Sequence, residues 1–334
     1  MFLKKREVNG VLYWSIAESY RDNGKPRQRI IENLGTTEKA FEILKDNIEY
    51  KEFYEQFKSL AGQQGHKISP ILKYPGAKWS VSNWIIDRLP RHEIYLEPYF
   101  GSGAVFFNKA PSRLETINDI DKDVPNLFKV IRTRKQELSE QIHYTPWSRD
   151  EYYESYERTG DELEDARRFL VRCWQAHATK TNAKTGWRHS TTKEGPRMPK
   201  QWSNVPQRIE MVAERLKDAQ IENMPAVELI KKYNNKDVLI YADPPYLLST
   251  RSSRLYKHEM TVEQHKELLE ALLEHSGPAI LSGYDNELYN DYLKGWHTEV
   301  LKASTEKGGS KMEVLWINPI AMEGTEKIQQ IEMC

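Results

Sequence analysis

Four adjacent residues, Asp243, Pro244, Pro245 and Tyr246, carry the clearest chemical signal in the sequence. They follow an apolar run at 238–242, which predicts that the carboxylate stands at the carboxyl end of a buried strand, where open α/β sheets bind ligands. The prolines stiffen the turn and remove two N–H donors, which leaves its carbonyls to accept hydrogen bonds. A carboxylate beside such a carbonyl can take both hydrogens of a planar –NH₂ group, and the tyrosine ring offers a stacking face. The motif therefore indicates a pocket for an aromatic amine, with a capped strand stop as the alternative.

A Gly-x-Gly turn lies closer to the amino terminus, at Gly101 and Gly103. A strand, such a turn and then a helix form the geometry of a nucleotide-type site, because glycine lets a ligand approach the backbone closely. Phe106 stands where the full dinucleotide fingerprint has its third glycine, so the turn alone is a weak indication. A second predicted strand ends near Asp119, and an acid at that place can hold the two ribose hydroxyls of an adenosine. Together the two features indicate an adenosine-type ligand.

A third candidate is the compact Pro-Gly turn at 73–78, which places Tyr74 and Lys78 on either side of Pro75 and Gly76. It comes just before the first predicted strand of the α/β region. A ring and a cation on one turn are suited to a charged small ligand, and an ordinary surface turn is the alternative.

The chain from about residue 71 onward has the pattern of a scaffold that can position these clusters. Apolar segments alternate with helical ones, such as 261–275 after a threonine N-cap. The apolar segments are 94–98, 116–119, 219–222, 238–242, 279–283, 297–302 and 314–318. This alternation predicts parallel strands with crossover helices, hence a three-layer α/β domain. Only a Lys/Gly-rich loop separates the last two segments, which predicts an antiparallel hairpin at one sheet edge.

Residues 147–206 interrupt this alternation and are predicted to form an inserted subdomain. Their first part, 150–165, is acidic and most simply a solvated helical face. Between 171 and 208 eight basic residues stand against Glu194 alone, with tryptophans between them. Such a local excess of positive charge attracts phosphates even in a chain whose net charge is +0. The stretch at 132–135 adds three more basic residues.

Residues 1–60 are predicted to form a small separate module. Asn-Gly pairs at 9–10 and 23–24 are strong hairpin signals, with strands at 12–20 and 26–34. A helix is expected to begin at Thr36 or Thr37 and to run to about residue 60, and 61–66 is a candidate linker. A solvated hairpin module and an additional DNA-binding module are both open interpretations.

The composition excludes several other classes of protein. With 334 residues, 39 % hydrophobic and 29 % charged, the chain has room for one large domain and small satellites. Cys173 and Cys334 cannot build a disulfide framework, and the histidines lack a shared ligand spacing, so no metal site is expected. No segment has the pattern of a signal peptide or a membrane-spanning helix. We therefore expect a cytoplasmic protein.

The order of the motifs makes a family resemblance specific. Lys-Tyr-Pro-Gly-Ala-Lys at 73–78, Glu-Pro-Tyr-Phe-Gly-Ser-Gly at 97–103, Asn-Asp-Ile-Asp at 118–121 and Asp-Pro-Pro-Tyr at 243–246 follow one another in the chain. This order resembles the Dam-like, alpha-group adenine-specific DNA methyltransferases over about residues 71–320. The segments 258–260, 280–285 and 313–318 are similar to those of phage-type members.

The resemblance implies a fold and an activity. The fold is a Rossmann-like class I methyltransferase sandwich, with a mostly parallel seven-stranded sheet and a terminal β-hairpin. The methyl donor is S-adenosylmethionine, and the acceptor is the exocyclic amine of an adenine flipped out of duplex DNA. A prokaryotic or phage origin is implied, and a cognate restriction enzyme is an open partner. The expected domains are 1–60 as the small module, 68–146 and 207–322 as the catalytic domain, and 147–206 as the target-recognition region.

The resemblance also assigns roles to single residues. The cofactor is expected to contact Tyr74, Lys78, Glu97, Phe100, Gly101, Gly103, Asp119, Ile120 and Asp243. Catalysis is assigned to Asp243, Pro244 and Tyr246, with the carboxylate between cofactor and base and the ring stacked on the base. DNA contacts are expected from Lys180, Lys184, Arg188, Arg197 and Lys200.

One position departs from the family pattern, and the chemistry leaves alternatives open. Many relatives have an acid after the third strand, beside the cofactor adenine, where this chain has Pro225. Recognition of that ring by a side chain at this place is therefore in question, although backbone groups can serve. The Asp-Pro-Pro-Tyr corner serves planar amines generally, so cytosine N4 and RNA adenine remain alternative acceptors. A catalytically silent DNA-binding regulator is the alternative from another class. Residues 1–35 separately resemble the amino-terminal segment of some transposases, through 13–20 and 26–35.

Overall fold

The chain forms two compact units, Met1–Lys67 and Ile68–Cys334, each with hydrophobic core residues of its own. The computed structural model describes residues 1–8, 11–22, 24–46, 50, 53–54, 57, 68–192, 195, 197–304 and 310–324. The Asn-Gly pair at 9–10 and the candidate linker at 61–66 lie outside these described residues.

The first unit is a three-stranded antiparallel sheet followed by a helix. Its elements are β1 (Phe2–Val8), β2 (Val11–Asp22), β3 (Lys25–Thr36) and α1 (Thr37–Asp46), with sheet order β1-β2-β3. Trp14 and Ile16 of β2 are buried with Leu34 and with Ala40 and Leu44 of α1. The predicted β-rich module is present. Gly24 has a φ of 79°, the left-handed conformation that a tight turn between β2 and β3 requires.

The second unit contains a seven-stranded sheet in which most pairings are parallel. Its strands are β4 (Ile94–Glu97), β5 (Leu114–Asn118), β6 (Ala219–Glu222), β7 (Val238–Ala242), β8 (Ala279–Tyr284), β9 (His297–Ser304) and β10 (Ser310–Ile317). The order is β6-β5-β4-β7-β8-β10-β9, and β10 runs antiparallel to both of its neighbours. This confirms the predicted mostly parallel sheet and its terminal hairpin. The strands end within a few residues of the predicted positions.

Helices cover both faces of this sheet, which makes the domain three-layered. They are α2 (Ser82–Ile86), α3 (Asp123–Thr133), α4 (Lys135–Tyr144), α5 (Arg149–Glu154), α6 (Glu162–Gln175), α7 (Met198–Trp202), α8 (Val205–Arg215), α9 (Ala226–Lys232), α10 (Val262–Leu273) and α11 (Glu287–Tyr292). All five residues of β7 are buried, alternately in two different apolar clusters. Such a continuous apolar run is typical of a strand covered on both faces. Thr261 and Gln264 form a capping box at the start of α10, as the sequence predicts.

The region 147–206 is joined closely to the helices that precede it. Its acidic first part forms two helices, α5 and α6, separated by a turn in which Gly160 has a φ of 85°. Arg172 of α6 pairs with Asp123 of α3 at 3.1 Å, and both side chains are largely buried. The helices α3, α4, α6 and α8 pack together. The insertion therefore shares a helical layer with the α/β core.

No helix in the described part of the chain is long and apolar enough to cross a membrane. Within the same residues, no group of three or more His, Cys, Asp and Glu side chains is arranged to hold a metal ion.

Candidate active site

A cavity of about 480 Å³ opens at the carboxyl ends of β4, β5 and β7. The chain leaves β4 towards β5 and β6, and later returns to β7 on the other side of β4, so this is the switch point where open α/β sheets bind ligands. The predicted site residues that line the cavity are Tyr74, Lys78, Glu97, Phe100, Gly101, Asp119, Ile120 and Asp243. Gly103, Pro244 and Tyr246 are sequence neighbours of residues that line the cavity, but they do not line it themselves.

The two glycines after β4 serve different purposes. Both have positive φ values, 49° at Gly101 and 67° at Gly103. A Cβ at Gly101 would come within 3.0 Å of the Tyr74 ring in the cavity wall. A Cβ at Gly103 would clash with the Phe100 ring and come within 2.6 Å of Phe107. Gly101 therefore keeps the cavity open beside Tyr74, whereas Gly103 permits aromatic packing below it.

Asp119 is held at the end of β5 by two backbone donors. Its carboxylate accepts the N–H of Gly101 at 2.9 Å and the N–H of Asp121 at 2.9 Å. Burial raises the pKa of Asp119 to about 7, although these two hydrogen bonds act in the opposite direction. Each carboxylate oxygen can accept a further hydrogen bond. The side chain can thus receive ribose hydroxyls in a fixed position.

The segment that departs from the family pattern forms an apolar part of the cavity wall. Asn118 fixes it, because its side-chain amide donates to the Met224 carbonyl at 3.1 Å and its side-chain oxygen accepts the Met224 N–H at 3.0 Å. Pro225 and Val227 line the cavity, as does Ile120, which is 42 % exposed. These apolar side chains suit the faces of a purine ring, in place of an acid at its edge.

Glu97, at the end of β4, is a buried carboxyl in the cavity wall. It accepts the Tyr95 hydroxyl at 2.7 Å. Burial raises the pKa of Glu97 to about 8, and the Tyr95 hydrogen bond lowers it only in part. An incoming ammonium group would favour the ionised form of this carboxyl.

The Asp243 carboxylate is held by two donors on one of its oxygens. Lys78 Nζ lies 2.9 Å from Asp243 Oδ1, and Ser282 Oγ donates to the same oxygen at 2.7 Å. Among the described residues, no donor bonds Asp243 Oδ2. One oxygen is thus used for positioning, and the other is available to a substrate amine.

Lys78 is itself enclosed. Its side chain is 6 % exposed, and it also donates to the Gly76 carbonyl at 2.8 Å. Burial opposes the charged form, but the carboxylates of Asp243 and Glu313 outweigh it and raise the pKa of Lys78 above its ordinary value. The ammonium therefore stays charged and acts as the counterion of the Asp243 carboxylate.

Tyr246 is buried beneath the corner with its hydroxyl engaged. The hydroxyl donates to Glu313 Oε2 at 2.7 Å. The ring meets Tyr284 edge-on, with centroids 4.6 Å apart, and Lys78 Nζ lies 4.7 Å from its centroid. Burial, together with Asp243 and Glu313, raises the pKa of Tyr246, so the hydroxyl remains a donor. The orientation of the ring is thus set from β10.

The loop after the corner is tied back to the turn at 73–78. Arg251 donates to the Tyr246 carbonyl at 2.8 Å and forms an ion pair with Glu259. Glu259 also accepts the N–H of Tyr256 at 3.0 Å, and the Tyr256 hydroxyl donates to the Pro75 carbonyl at 3.2 Å. These contacts make the loop a wall of the cavity.

Sequence reasoning gave no role to Ser282, Glu313, Arg251 or Tyr256. Ser282 and Glu313 contact the corner only because β7, β8 and β10 are neighbouring strands, and residue spacing carries no signal of that. An arginine and a glutamate eight residues apart in a loop likewise have no periodic pattern that identifies them as a pair.

The basic residues assigned to DNA differ in their exposure. Lys184, Arg197 and Lys200 are exposed, whereas Lys180 and Arg188 are half-buried. Arg188 donates to the His177 carbonyl at 2.9 Å, so it also holds its own loop. Next to Lys180, the Thr181 N–H donates to the Leu255 carbonyl at 2.9 Å. This contact joins the basic loop of the insertion to the loop that walls the cavity.

Two family models match different parts of the chain. The family model for D12 class N6 adenine-specific DNA methyltransferases matches residues 74–306. The model for the amino-terminal domain of IS1634 family transposases matches residues 3–60.

Individual relatives are distant in sequence but match over most of their length. The chain is 23 % identical over 258 residues to the DNA adenine methylase of Escherichia coli, a match that covers 73 % of this chain and 92 % of that protein. The type II methyltransferase M1.LlaDCHI of Lactococcus lactis subsp. cremoris is 26 % identical over 216 residues, 59 % of this chain and 73 % of that protein.

Solved structures resemble the chain remotely. A putative RNA methyltransferase from Pyrococcus horikoshii has a TM-score of 0.35 at 10 % identity, with 79 % of this chain and 97 % of that one covered. An O-methyltransferase from Bacillus cereus in complex with SAH has a TM-score of 0.32 at 8 % identity, with coverage of 84 % and 96 %.

Proposed function

The chain belongs to the D12 class of N6 adenine-specific DNA methyltransferases, and we propose that Asp243, Pro244 and Tyr246 form the corner at which its substrate amine is held. It is an S-adenosylmethionine-dependent enzyme that methylates adenine in DNA. The substrate is duplex DNA, and the target adenine leaves the stack to reach the Asp243–Tyr246 corner beside the cavity.

The observation that carries the proposal is the asymmetric bonding of Asp243. Lys78 and Ser282 both bond Oδ1, which fixes the plane of the carboxylate. Oδ2 and the neighbouring Pro244 carbonyl are then the two acceptors for the two hydrogens of an –NH₂ group. A fixed pair of acceptors binds the two hydrogens of an amine. It disfavours a base with a ring carbonyl at the same position, because a carbonyl oxygen has no hydrogen to donate and would leave both acceptors without a partner.

The chemistry required of the corner is positioning and electrostatic stabilisation. The adenine amine is a poor nucleophile because its lone pair is delocalised into the ring. Acceptors placed off the ring plane draw the nitrogen towards a tetrahedral geometry, which frees the lone pair. The Asp243 carboxylate, paired with the charged Lys78, can accept a hydrogen bond and then a proton from the amine. S-adenosylmethionine, when bound, supplies the methyl group.

The residues around the cavity fit this cofactor. We propose that Asp119, which accepts the N–H of Gly101, binds the ribose, and that the apolar surface of Ile120 and Pro225 in the cavity wall contacts the adenine ring. Glu97 is a buried carboxyl suited to the ammonium of the methionine part. Tyr74 lines the same cavity.

We expect the affinity for S-adenosylmethionine to rise with pH through about 7. In the ligand-free protein the Asp119 carboxyl has a pKa of about 7, and hydroxyl donors prefer its ionised form. Below this pH a proton must leave before binding, which weakens the complex. Asp119→Asn should raise the dissociation constant roughly 10- to 100-fold, since a hydrogen bond to a charged group contributes about 1.5–3 kcal/mol, and should remove this part of the pH dependence.

Isothermal titration at pH 6, 7 and 8 measures both effects. Asp218→Asn, an exposed acid, is the matched control and should bind as the wild type does. Glu97→Gln identifies the part of the pH dependence that comes from the second buried carboxyl. Wild-type affinity in Asp119→Asn would remove Asp119 from the ribose role.

Two kinds of contact are proposed to bind the DNA: phosphate contacts from the insertion, and stacking of the flipped base on Tyr246. We propose that 68–146 and 207–322 form the catalytic domain and 147–206 the target-recognition region, with phosphate contacts from Lys180, Lys184, Arg188, Arg197 and Lys200. The contact between Thr181 and Leu255 supports this, because it places the basic loop beside the cavity. Unstacking a base costs a few kcal/mol, which stacking on Tyr246 and the phosphate contacts must offset. A cognate restriction enzyme stays a prediction.

The decisive experiment is transfer of a labelled methyl group from S-adenosylmethionine to duplexes of varied sequence, followed by digestion and identification of the modified nucleoside. We expect N6-methyladenine in DNA. Label in N4-methylcytosine, or in RNA alone, would overturn the choice of acceptor. Tight DNA binding with no incorporation on any sequence would favour a silent regulator.

A further inference from the structure

We propose that one face of the amino-terminal sheet is a second binding surface for duplex DNA. The outer face is defined as the side of β1–β3 opposite to Trp14 and Ile16, and it carries Lys4, Arg6 and Arg21. The inference rests on the proposed function in one respect: duplex DNA is taken as the polyanion that the enzyme already meets.

The register of the strands assigns the residues to this face. Side chains alternate along β2, so Tyr13, Ser15, Ala17, Ser19 and Arg21 point away from the core that Trp14 and Ile16 enter. Of these, Tyr13, Ser19 and Arg21 are exposed, whereas Ser15 and Ala17 are buried. Residues paired across strands share a face, which adds Lys4 and Arg6 from β1 and Gln28 and Ile30 from β3. Lys4 Nζ donates to Gln28 Oε1 at 3.0 Å, which shows that β1 and β3 present these side chains on the same side.

Charge divides unequally between the two faces. The outer face has three exposed cations, Lys4, Arg6 and Arg21, and no acidic residue among its described side chains. On the opposite face Arg27 pairs with Asp22 at 3.1 Å, and Arg29 pairs with Glu18. Lys5 is also exposed on the opposite face, so the outer face is distinguished by having three cations and no described acidic side chain, a charge that favours phosphate binding.

The turn end of the β2–β3 hairpin extends beyond the apolar cluster of this unit. None of the described residues between 18 and 31 enters the apolar cluster of this unit. Ile30 is 57 % exposed and Tyr13 is 43 % exposed on the outer face. A two-stranded ribbon has the width to enter the major groove of B-DNA. Arg21 lies on this ribbon and Lys4 reaches it through Gln28, whereas Arg6 lies on β1 opposite Tyr13. The ribbon has the shape for duplex DNA, and the outer face as a whole supplies the charge.

The test compares two triple variants of the full-length chain. Lys4→Gln, Arg6→Gln and Arg21→Gln together remove the outer cations. Lys5→Gln, Arg27→Gln and Arg29→Gln together remove the same charge from the opposite face, since Lys5 pairs with Trp14 in the register. Binding to a duplex of about 30 base pairs is followed by fluorescence anisotropy over a salt series, and circular dichroism checks that both variants are folded.

The outer variant should bind about tenfold more weakly, and the slope of log K against log salt should become shallower by about 2–3, because each phosphate contact contributes about 0.9 to that slope. The control variant should keep the wild-type slope. Equal weakening in both variants, or none in either, would overturn the proposal. At saturating DNA the outer variant should keep the wild-type rate of methyl transfer. A wild-type chain that transfers no methyl group yet shows the same difference in binding would refute the proposed function and leave this inference standing.

Discussion

Asp243→Ala should lower the rate of methyl transfer by roughly 10³-fold or more, about 4 kcal/mol of transition-state stabilisation. The variant loses the acceptor for one amine hydrogen and the group that takes up the proton. Binding of DNA and of S-adenosylmethionine should change much less, because neither the basic loop nor Asp119 depends on this side chain. Single-turnover transfer at saturating cofactor and DNA measures the chemical step directly.

Two control variants separate the effect of the Asp243 charge from the effects of side-chain shape and of the stability of β7. Asp243→Asn keeps the shape and one acceptor but cannot take the proton, so it should lose most of the rate as well. Asp237→Ala changes an exposed acid just before the start of the same strand and should behave as the wild type. A rate within tenfold of the wild type in Asp243→Ala would show that the amine is held elsewhere.

The parts of the fold that local rules determine were predictable from the sequence. β7 was predictable because a strand buried on both faces must be apolar at every position, and all five of its residues are buried. The start of α10 was predictable because Thr261 and Gln264 can satisfy each other's backbone donors. The position of Asp243 follows from that of β7, because two prolines directly after Asp243 end the strand there and leave the carboxylate at the carboxyl edge of the sheet.

The parts that depend on neighbouring strands were not predictable. Ser282 reaches Asp243 across 39 residues of sequence, and Glu313 reaches Tyr246 across 67. Each contact exists only because β8 lies beside β7 and β10 lies beside β8, which spacing along the chain does not encode. The packing around Gly103 was also not predictable from the sequence. A Gly-x-Gly turn predicts two glycines facing a ligand, whereas the rings of Phe100 and Phe107 occupy the space beside the second one.

The contacts of Lys78 suggest a second role besides the cofactor contact that the sequence predicts. The resemblance predicts contact with the cofactor, and Lys78 does line the cavity. Its ammonium, however, is bound to Asp243 and to the Gly76 carbonyl, so it compensates the charge of the Asp243 carboxylate. We therefore propose that the turn at 73–78 contributes to catalysis as well as to binding.

Lys78→Met should lower methyl transfer about 10²-fold at neutral pH. Removing one partner of a buried pair leaves the other charge uncompensated, at a cost of about 3–5 kcal/mol in stability. The Asp243 carboxylate can avoid that cost by taking up a proton, and a protonated carboxyl is a poor acceptor for the amine. The rate of this variant should therefore rise as the pH increases, because only the ionised form is competent. The wild type should lack this rise when S-adenosylmethionine is saturating, since its raised Lys78 pKa keeps the ammonium charged.

Two further variants decide whether this effect is specific to the site. Lys109 is also a buried lysine in an ion pair, 2.6 Å from Glu115, and it does not line the cavity. Lys109→Met should reduce the melting temperature as Lys78→Met does, but its rate per folded molecule should match the wild type at every pH. Lys78→Arg keeps a cation beside Asp243 and should recover part of the rate without the pH dependence. If Lys78→Met instead shows a flat pH profile at saturating cofactor, the lysine serves binding alone, and the ionisation of Asp243 is maintained by the rest of the corner.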